Sequence, residues 1–363
     1  MIYTSYPKAG YLKYKEEINC SIQDTLESGI YVKGKNVSDF ENLFSEYINV
    51  KYAIGVGNAT DAIFLSLHAL GIGIGDEVIT VSLTATGTVS AIVNTGATPV
   101  FIDVNKNFYT INTKKIESKI NQKTKAILVV HLYGQSCDME EIFKISTKYN
   151  LHVIEDCAQA SGSKYKGKKV GSLGTLGCFS FFPTKNLSCI GDGGLVTTNN
   201  EKLFSRIKSI AQYGWDENRN ARLKGINSRL DELQAAILKV KLKYLDQDNK
   251  ERREIADIYK SKITNPIISH PKEADYSYHV YHLYVVKIKG DRKKLIKFLK
   301  ENQIFLGIHY PLPVHSQEFY KKFVKNFDLE TTNSLSKNIV SLPIYQGMEI
   351  AHVNEIVNIL NNF

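Results

Sequence analysis

The sequence of 363 residues predicts an α/β protein with a large, mainly parallel sheet domain and a smaller α+β domain after it. Two observations predict this fold class. Between residues 52 and 198, helical segments alternate with short runs that are apolar throughout, as in strands buried on both faces of a parallel sheet. From Ser228 onward, helical periodicity continues to Ile263, which is typical of a helix that links two domains. We therefore expect a large domain over residues 1–240 and a small one over residues 241–363.

The individual elements follow in order along the chain. The first fifty residues are helical and amphipathic, and Ser38 with Glu41 predicts a capping box. Strands are then predicted at "YAIGVG", "DEVITVS", "TPVFIDV", "KAILVVHLYG", "LHVIEDCA", "GCFSFF" and "GGLVTT", and helices at "NATDAIFLSLHAL", "TATGTVSAIVNTG" and "DMEEIFKISTKYN". The C-terminal part adds a strand at "YHVYHLYVVKI" and helices at "RKKLIKFLKEN" and "NEIVNILNN".

The charge of the chain is basic, with 46 Lys and Arg against 37 Asp and Glu and a net charge of +9. A lysine-rich solvated surface explains most of this excess, and the rest would attract anionic ligands. The basic stretch "SKYKGKKVGS" (Ser163–Ser172) is short and broken by glycines. It therefore predicts a hairpin turn and not a nucleic-acid site.

The sequence also bears on the compartment and on metals. No apolar run approaches the length of a membrane span, and the start of the chain has no apolar leader. The five cysteines are scattered and never spaced as CxxC, which argues against a disulfide framework or a structural zinc site and favours a reducing compartment. We expect a cytoplasmic protein with no metal site and no membrane or nucleic-acid partner.

Two glycine-rich stretches have different meanings. "GIGIGDEV" (Gly71–Val78) follows a helix and precedes a strand, the reverse of a dinucleotide-binding loop, so its glycines are predicted to end the helix. "GVGNATDAI" (Gly55–Ile63) has the order strand, turn, helix. Unpaired N–H groups of residues 58–61 and the hydroxyl of Thr60 would bind an anion there. Ordinary capping by Asn58 explains this stretch equally well.

A lysine and two carboxylates lie where sheets of this class bind ligands. Glu155 and Asp156 end the strand "LHVIEDCA", and open α/β sheets bind ligands beyond the carboxyl ends of their strands; helix capping by Asp156 is the alternative. Lys185 follows another apolar strand in "FFPTKNLSCIGDGG", where partial burial favours its neutral amine. Such an amine, a strand-end carboxylate and a helix N-terminus are what pyridoxal phosphate needs for its aldehyde, its pyridine nitrogen and its phosphate.

Four blocks together resemble one family. "GNATDAI", "EDCAQA", "FSFFPTKNL…GDGG" and "GINSRLDELQAAIL" are similar to the sugar aminotransferases of the DegT/DnrJ/EryC1/StrS family, and the resemblance covers nearly the whole chain. It implies a fold-type I, aspartate-aminotransferase-like homodimer with pyridoxal 5′-phosphate at the subunit interface.

The resemblance also implies roles for individual residues. Lys185 resembles the lysine that binds the cofactor covalently and shuttles the proton, and Asp156 resembles the carboxylate that keeps the pyridine nitrogen protonated. Gln159 resembles the residue that packs on the cofactor ring. The implied phosphate ligands are Thr60, the backbone of Ala59 and Asp61, Ser180 and, from the other subunit, Asn227.

One position departs from the family pattern. Many members have an aromatic residue after the threonine that corresponds to Thr84, whereas this chain has Ala85 in "SLTATGT". Thr84 and Ala85 are still expected near the face of the ring opposite Gln159. The substrate contacts that the resemblance suggests are Tyr31, His309 and Tyr310.

The subgroup is suggested by "HVYHLYVV", "GIHYPLPVHSQ" and "SLPIY". These stretches resemble enzymes that move an amino group from glutamate, or from glutamine, to C3 of a dTDP-linked 3-oxo-6-deoxyhexose for glycan or antibiotic assembly. Amination at C4 of a 4-oxo sugar and a non-catalytic regulatory role in the same fold are the alternatives. A dehydratase of the same fold carries histidine in place of the lysine, so Lys185 argues against that activity.

Overall fold

The computed structural model describes residues 1–323 and 328–363, which form twelve α-helices and fifteen strands. The helices are α1 (Pro7–Lys13), α2 (Lys15–Ser28), α3 (Lys35–Ile48), α4 (Ala59–Ala69), α5 (Thr86–Asn94), α6 (Met139–Tyr149), α7 (Glu201–Ile210), α8 (Glu232–Leu242), α9 (Leu245–Lys262), α10 (Arg292–Glu301), α11 (Glu330–Asn338) and α12 (Ile350–Asn361). The strands are β1 (Ile2–Tyr3), β2 (Tyr52–Val56), β3 (Glu77–Val81), β4 (Thr98–Ile102), β5 (Thr124–Val130), β6 (His152–Asp156), β7 (Lys164–Tyr165), β8 (Lys168–Lys169), β9 (Leu176–Ser180), β10 (Gly194–Thr198), β11 (Ile268–Ser269), β12 (Ser277–Tyr278), β13 (Tyr284–Ile288), β14 (Ile304–Phe305) and β15 (Ile339–Leu342).

A seven-stranded sheet forms the centre of the fold, with the order β2-β10-β9-β6-β5-β3-β4. Strand β10 runs antiparallel to both of its neighbours, and every other pair is parallel. The sheet is therefore mainly parallel, and the predicted fold class is confirmed.

Helices cover both faces of this sheet. Helices α4, α5 and α7 pack on one face, where Ile63 and Ile207 meet Cys178 and Val196. Helices α3 and α8 pack on the opposite face, where Phe44 and the next strand residue, Phe179, are fully buried. Successive residues of a strand point to opposite faces, so strands between two helical layers must be apolar throughout, as their sequences are.

A second, antiparallel sheet of β11, β13 and β15 lies in the C-terminal part of the chain. Its core contains Tyr259 of α9, Leu295 of α10 and Ile356 of α12. The division of the chain at residue 240 stays a prediction. No helix among the described residues is both long and apolar enough to cross a bilayer.

The two predictions about turns hold. Strands β7 and β8 form the hairpin predicted for Ser163–Ser172, and its turn residues Lys166 and Gly167 have φ of +45° and +82°. Gly71, with φ of +77°, follows the end of α4 as a helix-ending glycine.

The predicted capping box at Ser38 is wrong. Helix α3 begins at Lys35 after Gly34, so Ser38 already lies inside the helix. The carboxylate of Glu232 accepts hydrogen bonds from the backbone N–H groups of Gly34, Asn36 and Val37, at 2.7, 2.8 and 3.1 Å. A residue far along the chain therefore supplies the cap, which local sequence patterns cannot reveal.

The continuous helix predicted from Ser228 to Ile263 is two helices, α8 and α9, which separate at Lys243 and Tyr244. The ring of Tyr244 stacks on Tyr14 with centroids 4.3 Å apart. Its hydroxyl donates to Glu17 at 2.5 Å. The helix therefore breaks where Tyr244 packs against the start of α2, although the apolar periodicity of residues 228–263 is helical throughout.

Two predicted strands are shorter than expected. "YHVYHLYVVKI" contains only the last residue of β12 and all of β13, because residues 279–283 turn between them with Tyr281 at φ +42°. "KAILVVHLYG" ends as a strand at Val130 and continues into a 3-10 turn at Leu132–Gly134.

Candidate active site

A cavity of about 510 Å³ opens at the carboxyl ends of the parallel strands. Val130, Asp156 and Ser180 are the last residues of β5, β6 and β9, and all three line it. The cavity also contains most of the cofactor contacts expected from the sequence: Ala59, Thr60, Asp61, Thr84, Ala85, Asp156, Gln159, Ser180 and Lys185. The topology therefore brings these residues to one site, at the edge where open α/β sheets bind ligands.

Lys185 lies in the loop after β9, and its neighbours fix that loop. Its backbone N–H donates to the carbonyl of Phe182 at 2.8 Å. The next residue, Asn186, is buried and donates from its side chain to Asn249 at 2.7 Å and to the carbonyl of Val280 at 3.0 Å. Desolvation by the surrounding protein lowers the pKa of the Lys185 amine to about 8, although the negative charge of Asp156 opposes that shift.

Asp156 is buried at the end of β6. Its Oδ2 accepts a hydrogen bond from the Thr88 hydroxyl at 2.8 Å, and its Oδ1 accepts one from the backbone N–H of Ala158 at 3.0 Å. Burial raises the pKa of this carboxyl group, and the two hydrogen bonds work in the opposite direction. No cation within the described residues forms a salt bridge with Asp156, although the charges of Lys185 and His131 are near enough to lower its pKa.

The adjacent Glu155 has a structural role. It is fully buried and accepts backbone N–H groups from Gly171, Leu173 and Gly174, at 2.9, 2.8 and 2.7 Å. It also contacts His131, whose Nδ1 accepts the backbone N–H of Cys137 at 3.0 Å. The proton of this imidazole is therefore on Nε2, which donates to Glu155 at 2.9 Å. Cys157 lies beside this pair, with the three ligand atoms within 4.8 Å of one another, but these hydrogen bonds already occupy the ligand atoms of Glu155 and His131.

The N-terminus of α4 forms the polar end of the cavity. Asn58 caps the helix by accepting the backbone N–H of Asp61 at 2.9 Å, so the expectation of four unpaired N–H groups was wrong for Asp61. The carboxylate of Asp61 accepts a hydrogen bond from the Ser228 hydroxyl at 2.6 Å. The N–H groups of Asn58, Ala59 and Thr60 and the Thr60 hydroxyl remain for an anion.

Two glycines allow this end of the cavity to form. A Cβ atom on Gly87 would lie 2.6 Å from the Thr60 hydroxyl oxygen, and one on Gly194 would lie 2.4 Å from the backbone of Asn58. Both distances are too short for a side chain. Glycine at these positions therefore keeps the space beside Thr60 open and lets α4 approach the sheet.

Gln159 connects the cavity to the C-terminal part of the chain. Its Oε1 accepts the backbone N–H of Tyr133 at 2.8 Å, and its Nε2 donates to the hydroxyl oxygen of Tyr310 at 2.9 Å. His309, beside Tyr310, shares a hydrogen bond of 2.8 Å between its Nδ1 and the Ser341 hydroxyl. Desolvation, together with the charge of Lys185, lowers the pKa of His309 to about 4, so its imidazole is neutral at physiological pH.

Four predicted residues do not line the cavity. His309 and Tyr310 are not among the lining residues, but Tyr310 contacts Gln159, which is. Tyr31 is 54% exposed and donates to the carbonyl of Leu26, and Asn227 is also exposed. Within one subunit, Tyr31 and Asn227 therefore do not contribute to this cavity, and their roles stay predictions.

Thr88 is a site residue that the sequence did not single out. It lies in the first turn of α5, four residues after Thr84, and the two hydroxyl groups are 2.9 Å apart. Because ionised Asp156 only accepts hydrogen bonds, Thr88 donates to it and must accept from Thr84. The spacing of two threonines at i and i+4 was the available signal, but only the fold shows that Thr88 donates to Asp156 and that Thr84 contacts Thr88.

The residues of this cavity fit pyridoxal phosphate. A protonated pyridine nitrogen would supply the cationic partner that buried Asp156 lacks, and the start of α4 with Thr60 and Ser180 would hold the phosphate. Lys185 offers an amine with a lowered pKa for the aldehyde. Ala85 lines the cavity, so position 85 supplies no aromatic ring, and its place opposite Gln159 stays a prediction.

Comparisons with known proteins agree with this site. Residues 13–361 match the DegT/DnrJ/EryC1/StrS aminotransferase family. A dTDP-3-amino-3,6-dideoxy-alpha-D-galactopyranose transaminase of Aneurinibacillus thermoaerophilus is 47% identical over 97% of this chain and 96% of its own. A pleiotropic regulatory protein of Geobacillus stearothermophilus is 40% identical over 93% of this chain and 92% of its own.

A solved structure is similar over the whole fold. DesV of S. venezuelae, in complex with a ketimine intermediate, has a TM-score of 0.96 and 35% identity, covering 99% of this chain and 98% of its own. The family match, the relatives and this structure extend over the chain from end to end. The chain therefore belongs to the DegT/DnrJ/EryC1/StrS family of pyridoxal phosphate-dependent aminotransferases.

Proposed function

We propose that this aminotransferase transfers the amino group of glutamate to C3 of a dTDP-3-oxo-6-deoxyhexose, giving a dTDP-3-amino-3,6-dideoxyhexose for glycan biosynthesis. The observation that carries the chemistry is the amine of Lys185, with its lowered pKa, in the same cavity as the buried carboxylate of Asp156. The 47% identical relative, named for a 3-amino sugar linked to dTDP, supports the choice of substrate.

Pyridoxal phosphate, when bound, supplies an aldehyde that accepts the amino group and a ring that accepts electrons. Asp156 keeps the proton on the pyridine nitrogen, because a buried carboxylate is stabilised by an adjacent positive charge. Thr88 and the N–H of Ala158 hold that carboxylate in one orientation. Thr60 and the start of α4 would hold the phosphate.

Lys185 moves the proton that the reaction requires. With a pKa of about 8, its amine exchanges a proton near neutral pH at little cost in free energy. No hydrogen bond within the described chain holds its Nζ, whereas Asn186 beside it is anchored by two side-chain donations. The amine is therefore free to move between two reacting atoms while its backbone stays in place.

His309 and Tyr310 are the proposed sugar contacts. The hydroxyl oxygen of Tyr310 accepts a hydrogen bond from Gln159, so its own O–H remains available to donate to a sugar oxygen. His309 is neutral at physiological pH, and its Nδ1 is engaged by Ser341. Together they would present the C3 carbonyl, and not C4, to the cofactor amine.

We further propose that the enzyme is a cytoplasmic homodimer with shared active sites. Asn227 is exposed in one subunit and does not line that subunit's cavity, as expected of a residue that acts across a two-fold interface. Mixed dimers of Lys185→Ala and Asn227→Asp protomers test this proposal. Hybrid sites with changed cofactor affinity support it, whereas a fully active monomer refutes it.

The test of the reaction is mass spectrometry of products from a panel of sugar nucleotides with glutamate as donor. We expect dTDP-3-oxo-6-deoxyhexoses to react far faster than dTDP-4-oxo-6-deoxyglucose, and the name of the 47% relative makes the galacto-configured sugar the first to test. Preference for the 4-oxo sugar would instead make the protein a C4 aminotransferase.

A non-catalytic regulatory role is the second candidate, because a 40% identical relative is named a pleiotropic regulatory protein. Lys185 and Asp156 both retain the chemistry needed for transamination, which favours catalysis. Pyridoxal phosphate binding without turnover of any sugar in the panel would favour the regulatory role.

A further inference from the structure

Tyr133 is a buried residue that does not line the cofactor cavity, yet it contacts two parts of the site. It lies in the 3-10 turn Leu132–Gly134, shortly after the end of β5. Its backbone has φ of +60°, a conformation that residues other than glycine rarely adopt. Such a conformation persists only where the surrounding structure holds it, so the contacts of Tyr133 indicate what the turn does.

The turn that carries Tyr133 is fixed on both sides. The backbone N–H of His131, just before it, donates to the carbonyl of Asp156 at 3.1 Å, and the carbonyl of Gly134 accepts the N–H of Val280 at 3.0 Å. A Cβ atom on Gly134 would lie 2.8 Å from the Val280 side chain, and its φ is +101°, so this close approach requires glycine. The central sheet and the C-terminal part of the chain therefore set the position of Tyr133.

The backbone of Tyr133 determines the orientation of the Gln159 amide. A backbone N–H can only donate, and that of Tyr133 lies 2.8 Å from Oε1 of Gln159. The Nε2 of Gln159 therefore faces the other way, where it donates to the hydroxyl oxygen of Tyr310 at 2.9 Å. Because this bond uses the Tyr310 oxygen as an acceptor, the Tyr310 proton stays available for a ligand.

The side chain of Tyr133 holds the segment to which Tyr310 belongs. Its hydroxyl donates to the backbone carbonyl of His309. Burial raises the pKa of Tyr133 well above its ordinary value, so the hydroxyl keeps its proton and remains a donor. The ring packs edge-on against that of Tyr109, with centroids 6.1 Å apart, and Tyr310 packs against the same cluster of buried side chains. One residue thus fixes both Gln159 and the segment His309–Tyr310.

The groups that carry out the proton chemistry do not depend on the Tyr133 hydroxyl. Both hydrogen bonds that Tyr133 donates within the described residues go to Gln159 and to His309. The donors to the Asp156 carboxylate are other residues. Removal of the hydroxyl should therefore change the contacts to the sugar and leave the reaction with the amino donor as it is.

We propose that Tyr133 is a positioning residue for the sugar: its N–H orients the Gln159 amide, and its hydroxyl fixes the segment His309–Tyr310, so that the Tyr310 proton meets an oxygen of the sugar. This inference rests on the proposed function, in which Tyr310 is a sugar contact. It makes the selection of the amino acceptor depend on a buried residue outside the cofactor cavity.

Tyr133→Phe removes the hydroxyl and keeps the ring and the backbone N–H, so the turn and Gln159 should stay in place. In the holoenzyme, we expect kcat/KM for the sugar nucleotide to fall about tenfold, because the carbonyl of His309 loses its donor. The single-turnover rate with glutamate should change less than about twofold. Tyr109→Phe is the matched control, since it removes a hydroxyl of the same core that makes no hydrogen bond within the described residues.

A double-mutant cycle tests whether Tyr133 acts through the segment His309–Tyr310. Tyr310→Phe removes the proposed donor to the sugar. If Tyr133 only positions that donor, adding Tyr133→Phe to Tyr310→Phe should lower kcat/KM by less than about threefold further. Losses that multiply would show that the two residues act independently and would overturn the inference. Equal losses in the glutamate and sugar half-reactions would overturn it as well, because they would indicate a general structural role.

The outcomes separate this inference from the proposed function. If the unmodified enzyme aminates a 3-oxo sugar and Tyr133→Phe leaves kcat/KM for that sugar unchanged, the inference is overturned and the function stands. If the enzyme prefers a 4-oxo sugar and the variant impairs that reaction but not the glutamate half-reaction, the inference is supported and amination at C3 is refuted. An unmodified enzyme that turns over no sugar refutes both.

Discussion

The hydroxyl group of Thr88 is expected to control the ionisation of Asp156, and its removal tests the electrostatics of the site. The Thr84 hydroxyl donates to Thr88, which donates to Asp156 over 2.8 Å. Burial alone raises the pKa of this carboxyl group, so the ionised form depends on its few donors. Thr88→Val keeps the shape of the side chain and removes one of the two donors.

The magnitude follows from the charge on the acceptor. A hydrogen bond to a charged group contributes roughly 1.5–3 kcal/mol, which corresponds to about one to two pKa units. If ionised Asp156 is needed to keep the pyridine nitrogen protonated, the rate should fall about 10- to 100-fold. The assay is the single-turnover reaction with glutamate, followed by the absorbance of the bound cofactor.

Two further variants separate charge from packing. Thr88→Ser keeps the hydroxyl and should retain most of the rate, whereas Thr84→Val removes only the outer donor and should cost less than about tenfold. A Thr88→Val enzyme with the rate of the unmodified protein would show that the N–H of Ala158 alone holds Asp156 in its ionised form.

Three other predictions address Lys185 and Asp156 directly. Lys185→Ala should abolish transamination and the covalent adduct that borohydride trapping and mass spectrometry detect in the unmodified enzyme; turnover retained in this variant would contradict the assignment. In the cofactor-free protein, the rate of covalent capture of pyridoxal phosphate should rise as the Lys185 amine loses its proton around pH 8; a rise centred near pH 10.5, the ordinary lysine value, would contradict the effect of burial. Burial raises the pKa of Asp156 in the folded protein above its value of about 3.9 in the unfolded chain. The protonated carboxyl group therefore favours the folded state at low pH, fully so below the unfolded pKa, and this contribution is lost as the pH rises through the folded pKa. Asp156→Asn should therefore raise the Tm of the cofactor-free protein at pH 7.5, by a margin that shrinks as the pH is lowered, and a lower Tm at pH 7.5 would show that the charge stabilises the fold.

The central sheet and the reactive pair could be predicted from the sequence because both depend on local patterns. Continuous apolar runs predicted strands buried on both faces, and the structure buries β6 and β9 between two helical layers. Asp156 and Lys185 each follow such a run. Since parallel strands end at one edge of a sheet, their proximity followed from the predicted topology.

The features that could not be predicted depend on partners far along the chain. Glu232 caps α3 across nearly two hundred residues, and Tyr14 stacks on Tyr244 where α8 and α9 separate. Thr88 has a role only because α5 points it to Asp156. Local periodicity specifies which residues are buried in a helix, but it does not specify which distant side chain completes the end of that helix.

The contacts around Lys185 explain how a half-buried lysine can have a fixed backbone and a side chain that is free to move. The residue after Lys185 carries the fixed contacts: Asn186 donates to Asn249 and to Val280, and its side-chain oxygen is 3.1 Å from the Nδ1 of His282. These groups come from α9 and from the turn before β13, so the C-terminal part of the chain holds the loop that carries the amine. The Nζ of Lys185 has no such bond within the described residues, and it titrates near pH 8. A hydrogen bond to Nζ would have stabilised one position and one protonation state. Because Asn186 makes the anchoring hydrogen bonds instead, the position and the protonation state of the Lys185 amine can both change. A group that transfers protons between two atoms requires both changes.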